Sequence, residues 1–206
     1  MKLYYSPAAC SLAVHIALRE AGLAFDLAKV DLGRHRLADG SPLTDVNPKN
    51  YVPALETDAG DVLTEVAAIL QWVAEQAPAS HLLPPSGTLE AQRAREWLNF
   101  IATELHKGFS PWLWHKETEA GTREQVIQKL HARLEFVDRH LTGRDTVLDR
   151  FSVVDAYLFT ILNWAGMLRF DLSAYPAIRG YLGRIAGRPA VRAALAAEGL
   201  LKAEAA

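Results

Sequence analysis

One change in hydrophobic periodicity constrains the fold of this chain more than any other feature. Up to about residue 77, short strand-like runs alternate with helical ones, whereas from Leu89 onward only helical spacing continues. Between them lies Ala77-Pro78-Ala79-Ser80-His81-Leu82-Leu83-Pro84-Pro85-Ser86-Gly87-Thr88, whose prolines, serines and glycine read as a connection. The division this predicts is a mixed α/β domain over 1–78, a linker over 79–88 and an all-α domain over 89–206.

In the first part the spacing predicts strands at 2–5, 25–31, 53–57 and 61–63, with helices at 11–21 and 65–76. That order is βαβ followed by ββα, so the first two strands are parallel through a right-handed crossover. Asp58-Ala59-Gly60-Asp61 is a tight turn that makes the last two strands an antiparallel hairpin. A mixed four-stranded sheet covered by helices is expected. In the second part Leu89 to Lys107 is one long amphipathic helix, and Thr122-Arg123-Glu124-Gln125 reads as a capping box for a helix ending near Leu141. Ser152-Val153-Val154-Asp155 reads as a second box opening the most apolar helix of the chain. Pro189 suits the first turn of a short last helix closed by Gly199.

Composition narrows the classes of function. With 24 acidic and 22 basic side chains the net charge is −2, which gives no electrostatic footprint for nucleic acid or an anionic membrane. The longest uncharged run near the apolar helix, Ala156 to Leu168, is shorter than the ~20 residues of a membrane span. A single cysteine closes no internal disulfide, so the cytoplasm is the default compartment. His15, His81, His131 and His140 have no spacing suited to a shared metal, and no metal is expected.

That one cysteine, Cys10, lies where the first strand turns through Ser6-Pro7-Ala8-Ala9 into a helix. Free N–H groups and the positive dipole end of a helix favour an anion, so a thiol there ionises more readily than an unperturbed one. A lone cysteine is as often a small buried hydrophobe, and the segment by itself leaves both readings open.

Cys10 at the head of the first helix, Val52-Pro53 before the third strand and Leu63-Thr64-Glu65 running into the next helix resemble a thioredoxin-fold glutathione-binding domain. Joined to an all-α domain, the chain resembles the cytosolic glutathione transferases. The bacterial beta class matches best, through Met1-Lys2-Leu3-Tyr4-Tyr5, Asn47-Pro48, Glu96-Trp97-Leu98-Asn99-Phe100, Glu104-Leu105-His106-Lys107-Gly108-Phe109, Phe151-Ser152-Val153-Val154-Asp155 and Glu198-Gly199-Leu200. These blocks follow the family's order along nearly the whole chain.

The resemblance implies a cis Val52-Pro53 bond that turns the Val52 backbone toward glutathione, for pairing like an added strand. It implies that Glu65 receives the γ-glutamyl ammonium while the Val66 N–H and its helix take the neighbouring carboxylate. It places His106 and Lys107 beside Cys10 and the reacting sulfur. Asn99, Thr103 and Glu104 would complete the glutathione site of a partner subunit, which requires a homodimer, and Trp112, Trp114 and His115 would line a pocket for an apolar electrophile. Each has a plainer reading as solvated surface or core packing. The chain departs from the family at His35, where a lysine usually holds the glycine carboxylate, although Arg34 and Arg36 flank it. It also departs at Val66, commonly serine or glycine.

The expected activity is transfer of the glutathione thiol to a small hydrophobic electrophile, with thiol–disulfide exchange or peroxidase chemistry through Cys10 as a further capacity. The alternative is a non-catalytic protein that binds glutathione or hydrophobic ligands on the same scaffold.

Overall fold

The computed structural model describes residues Met1–Leu201. They form two compact units, Met1–Leu83 with the described residues from Gly187, and Pro84–Ala186.

The first unit is built on a five-stranded sheet in the order β3-β2-β1-β4-β5. β1 (Lys2–Tyr5) lies centrally, parallel to β2 (Asp26–Asp31) in the register Leu3↔Leu27, and antiparallel to β4 (Ala54–Glu56) in the register Leu3↔Leu55. β5 (Val62–Thr64) closes the expected hairpin with β4, and Gly60 takes φ +89 in its turn, a conformation open to glycine. Thr57 N–H donates to Asp61 O across that turn at 2.8 Å. The fifth strand, β3 (Arg36–Leu37), corrects the expectation of four. It is only two residues long, too short to leave a periodic signal, and it pairs antiparallel with β2 through Val30↔Leu37.

α1 (Ser11–Glu20) is buried from Ser11 through Leu18. It packs against β1, against α2 (Val66–Gln76) and against the last helix, α8 (Pro189–Ala197). The sequence reading carried the all-α domain to residue 206, whereas α8 packs within the first unit. Its amphipathic pattern says that one face is covered but not by what. Here the cover is α1, fastened by Arg188, whose guanidinium gives Glu20 two hydrogen bonds of 2.7 and 2.9 Å.

The second unit is helical. α3 (Leu89–Phe100) continues through a π-helical stretch (Ile101–His106) into the short turn α4 (Lys107–Phe109). The expected single helix is therefore continuous in path but locally unwound, and Ile101, Leu105 and Phe109 stay buried through the change. α5 (Ala120–Leu141), α6 (Val153–Met167) and α7 (Pro176–Ala186) follow.

The two capping boxes fare differently. At α6 the box forms: Ser152 Oγ accepts from Val154 N–H at 3.2 Å, and Asp155 Oδ2 accepts from Ser152 N–H at 2.9 Å. At α5 it does not. The chain already turns helical at Ala120 after an extended Glu119, so Thr122 lies inside the helix, where it cannot adopt the extended backbone of a cap. Arg123 anchors this start instead, donating to His115 O at 2.7 Å.

Candidate active site

Cys10 is the residue that precedes α1, one position before the first turn in which the sequence placed it. Its backbone is already helical, at φ −59 and ψ −18. The side chain is 9% exposed, and its Sγ donates to the Val52 carbonyl at 3.3 Å. Val52 and Pro53 are buried, and the bond between them is cis, as the resemblance implied. The thiol and the backbone leading into β4 are thus brought together by the fold, 42 residues apart in the chain.

The loop before Cys10 is held from the far end of the unit. Glu198, just past α8, accepts from Ala8 N–H with Oε2 at 3.0 Å and contacts His15 Nδ1 with Oε1 at 2.8 Å. Arg19 Nε can only donate, so His15 Nε2 accepts it at 2.8 Å and Nδ1 carries the proton directed at Glu198. His15 is thereby occupied structurally.

Glu65 precedes α2 at φ 72, and its carboxylate does not cap the helix. It turns to Lys49, whose Nζ donates to Oε1 at 2.6 Å, and to the Tyr51 hydroxyl, which donates to the same oxygen. Lys49 Nζ also meets Thr64 Oγ1 at 3.0 Å. The hydrogen bond to Glu65 holds the Lys49 ammonium above its ordinary range, and burial raises the Tyr51 hydroxyl. Val66 begins α2, where the first N–H groups of any helix have no partner within it. A carboxylate beside such a helix start suits a ligand bearing both an ammonium and a carboxylate. Lys49 and Tyr51 escaped the sequence reading. Their side chains reach Glu65 because the buried Asn47 amide shapes the loop: its Nδ2 donates to Tyr51 O at 2.7 Å and its Oδ1 accepts from Lys49 N–H at 3.0 Å.

His35 is exposed at φ 53, between β2 and β3, with Nδ1 3.2 Å from Asn50 O. The fold therefore sets it against the same 47–52 loop.

In the second unit His106 ends the π-helical stretch. Its Nδ1 lies 2.7 Å from the hydroxyl of buried Tyr157, and the edge of Trp164 approaches at 5.0 Å between ring centroids. Trp164 also meets Trp114 at 5.8 Å, so one α6 residue touches both the imidazole and the aromatic segment after α4. Neither Tyr157 nor Trp164 was singled out in the sequence, because both read as the buried side of an apolar helix. Lys107 and His115 are exposed, while Trp112 and Trp114 are 44% and 39% exposed. Thr103 Oγ1 donates to Asn99 O at 3.0 Å, placing both on one helical turn. Glu104 accepts from Arg133 Nε at 2.7 Å and has Lys129 at 3.5 Å, and the bond from Arg133 holds its carboxyl below the usual range. The described residues contain no group of three or more His, Cys, Asp and Glu arranged to hold a metal, and no helix long and apolar enough to cross a membrane.

A mixed sheet entered through a cis-proline, with a cysteine at the start of its first helix and a helical unit beside it in sequence, defines a thioredoxin-like class of protein. The family models for the N-terminal and C-terminal domains of glutathione S-transferase match residues 8–76 and 100–189. Glutathione S-transferase GstA of Escherichia coli O157:H7 is 45% identical over 97% of this chain and 100% of its own length. Two solved structures are similar throughout. A sphingomonad glutathione S-transferase complexed with glutathione has a TM-score of 0.92 and 45% identity, covering 98% of this chain and 100% of its own. The bacterial beta class enzyme of Sphingomonas chungbukensis has a TM-score of 0.93 and 44% identity at the same coverage. The chain belongs to the glutathione S-transferase family.

Proposed function

We propose that the protein binds reduced glutathione along the backbone at Val52 and transfers its thiol to a small hydrophobic electrophile. The observation that carries this reading is the 3.3 Å contact of Cys10 Sγ with Val52 O, which supports it by setting the protein's own thiol beside the backbone proposed to pair with glutathione. Val52 and Pro53 present backbone to the cysteinyl portion, Glu65 takes the γ-glutamyl ammonium, the Val66 N–H takes the adjoining carboxylate, and His35 lies at the glycine end. His106 holds or delivers the proton of the reacting sulfur, and the Lys107 ammonium favours its thiolate. Trp112, Trp114 and His115 offer an aromatic wall to apolar, planar electrophiles.

Cys10 gives the same site a second chemistry. Its thiolate attacks the glutathionyl sulfur of a disulfide between glutathione and another thiol; a Cys10–glutathione mixed disulfide forms as that bond breaks, and the other thiol leaves as its thiolate. With no second cysteine in the chain, a reduced glutathione then attacks the mixed disulfide, restoring Cys10 and departing as the disulfide.

The protein works as a cytoplasmic homodimer in which Asn99, Thr103 and Glu104 complete the glutathione site of the partner. Supporting this are the exposure of Asn99 and an aromatic cluster beside it, where Phe136, 45% exposed, stacks on Trp97 at 5.6 Å and meets Phe100 at 5.3 Å. The test is turnover of model aryl halides and of mixed disulfides with glutathione, together with intact-mass analysis of protein purified without reductant. Conjugation by the wild type and a glutathione adduct absent from Cys10→Ala are expected. A wild type that binds glutathione but turns over none of these substrates would leave only the binding role.

A further inference from the structure

Beyond the residues assigned above, and resting on the proposed glutathione reading, we infer that Lys49 is the specificity-determining cation of the site. It recognises the α-carboxylate of the amino-acid head group whose ammonium goes to Glu65. Lys49 Nζ lies 2.6 Å from Glu65 Oε1 and 3.0 Å from Thr64 Oγ1. An ammonium and a carboxylate thus stand side by side at the start of α2, where the Val66 N–H is the first of the helix donors that have no partner within the helix. An α-amino-acid head group carries the same two charges on one carbon. Laid antiparallel to the Lys49–Glu65 pair, it matches each charge with its opposite and leaves the assembly electrically balanced.

Stability does not account for this pair. Its side chains are 48% and 56% exposed, a setting in which an ion pair contributes little. Exposure also makes it ready to rearrange: Lys49 keeps its hydrogen bond to Thr64 while turning one N–H toward an incoming carboxylate. The ammonium is positioned from below. Asn47 is fully buried, and its Oδ1 holds the Lys49 N–H at 3.0 Å while its Nδ2 holds Tyr51 O at 2.7 Å. The Tyr51 hydroxyl donates to the same Glu65 oxygen as Lys49 does, which steers the carboxylate into the pair and away from its own helix end. A head group without its carboxylate would satisfy Glu65 and leave Lys49 without a new partner.

The experiment is a calorimetric titration of the full-length protein with reduced glutathione and with γ-aminobutyryl-cysteinyl-glycine, which keeps the ammonium and thiol but lacks the α-carboxylate. Wild type is expected to bind glutathione more tightly than this analogue. Lys49→Met should weaken glutathione about tenfold or more, the scale of one charge-assisted hydrogen bond, and leave the analogue's affinity unchanged, while Lys49→Arg restores most of the preference. If Lys49→Met binds glutathione as tightly as wild type or more tightly, or weakens both ligands equally, Lys49 does not read the carboxylate. A wild type that binds neither ligand would instead overturn the glutathione reading, and the inference with it. Unchanged thermal unfolding of Lys49→Met confirms that a loss of affinity is not a loss of fold.

Discussion

Single residues carry both the chemistry and the tightest constraints. Cys10 could be weighed only evenly from its own segment, and the fold sets its thiol against the Val52 carbonyl, the backbone along which glutathione is proposed to dock. Gly108, by contrast, is constrained by space: a Cβ built there would lie 2.7 Å from Leu130 Cδ2, and Leu130 is 1% exposed. Gly108→Ala is therefore expected to lose about 1–3 kcal/mol in urea unfolding. Asp155 is constrained by charge. Burial pushes its carboxyl up to about 6, against hydrogen bonds from Val147 N–H, the Ser152 N–H and hydroxyl, and the Tyr181 hydroxyl. A carboxyl whose pKa is raised on folding contributes stability that is fully present below its ordinary value near 3.8 and is lost as the pH rises through about 6. Unfolding free energies measured from pH 4 to 7 should thus fall for wild type relative to Asp155→Asn, by on the order of 3 kcal/mol across the interval. A constant difference would place the ionisation elsewhere.

At the level of elements, the two Thr/Ser-x-x-Glu/Asp patterns give opposite outcomes that one pair of substitutions can read. Ser152 caps α6, so Ser152→Ala should cost about 1 kcal/mol in chemical denaturation. Thr122 is internal to α5, so Thr122→Ala should be near neutral. Elements announced by periodicity were legible: β1, the β4–β5 hairpin, α6 and α8 follow directly from alternation, turn residues and caps. What escaped has specific causes. β3 is two residues long, and the π-helical stretch keeps the apolar spacing of an α-helix through Ile101 and Leu105. The start of α5 is set by Arg123 reaching the His115 carbonyl, a contact no local pattern encodes. The candidate site was legible where a motif stood behind it, at Cys10, Val52-Pro53 and Glu65. The contacts of Lys49 and Tyr51 with Glu65, and of Tyr157 and Trp164 with His106, were not legible, because they form between side chains that meet across loops or helices.

Over the whole molecule, the chain closes its first unit with its last helix. Arg188 grips Glu20, and Glu198 reaches both His15 and the Ala8 N–H two residues before Cys10. The βαβ–ββα segment therefore lacks part of its own cover until α8 is in place. A fragment of residues 1–83 is expected to show much weaker thermal and urea stability than the same unit within the full chain. Truncation after Ala186 should lower the unfolding midpoint as well, and a truncated protein as stable as the full chain would show that α8 contributes no such cover. The central claim is that glutathione lies along Val52 with its sulfur at Cys10 and its amino-acid end at Glu65. Amide chemical shifts of the isotope-labelled protein, followed during titration with reduced glutathione, test it most directly. Saturable shifts concentrated at Ala8 to Ser11, Tyr51, Val52, Glu65 and Val66 are expected. Saturable shifts confined to other surfaces, or none at all, would contradict it.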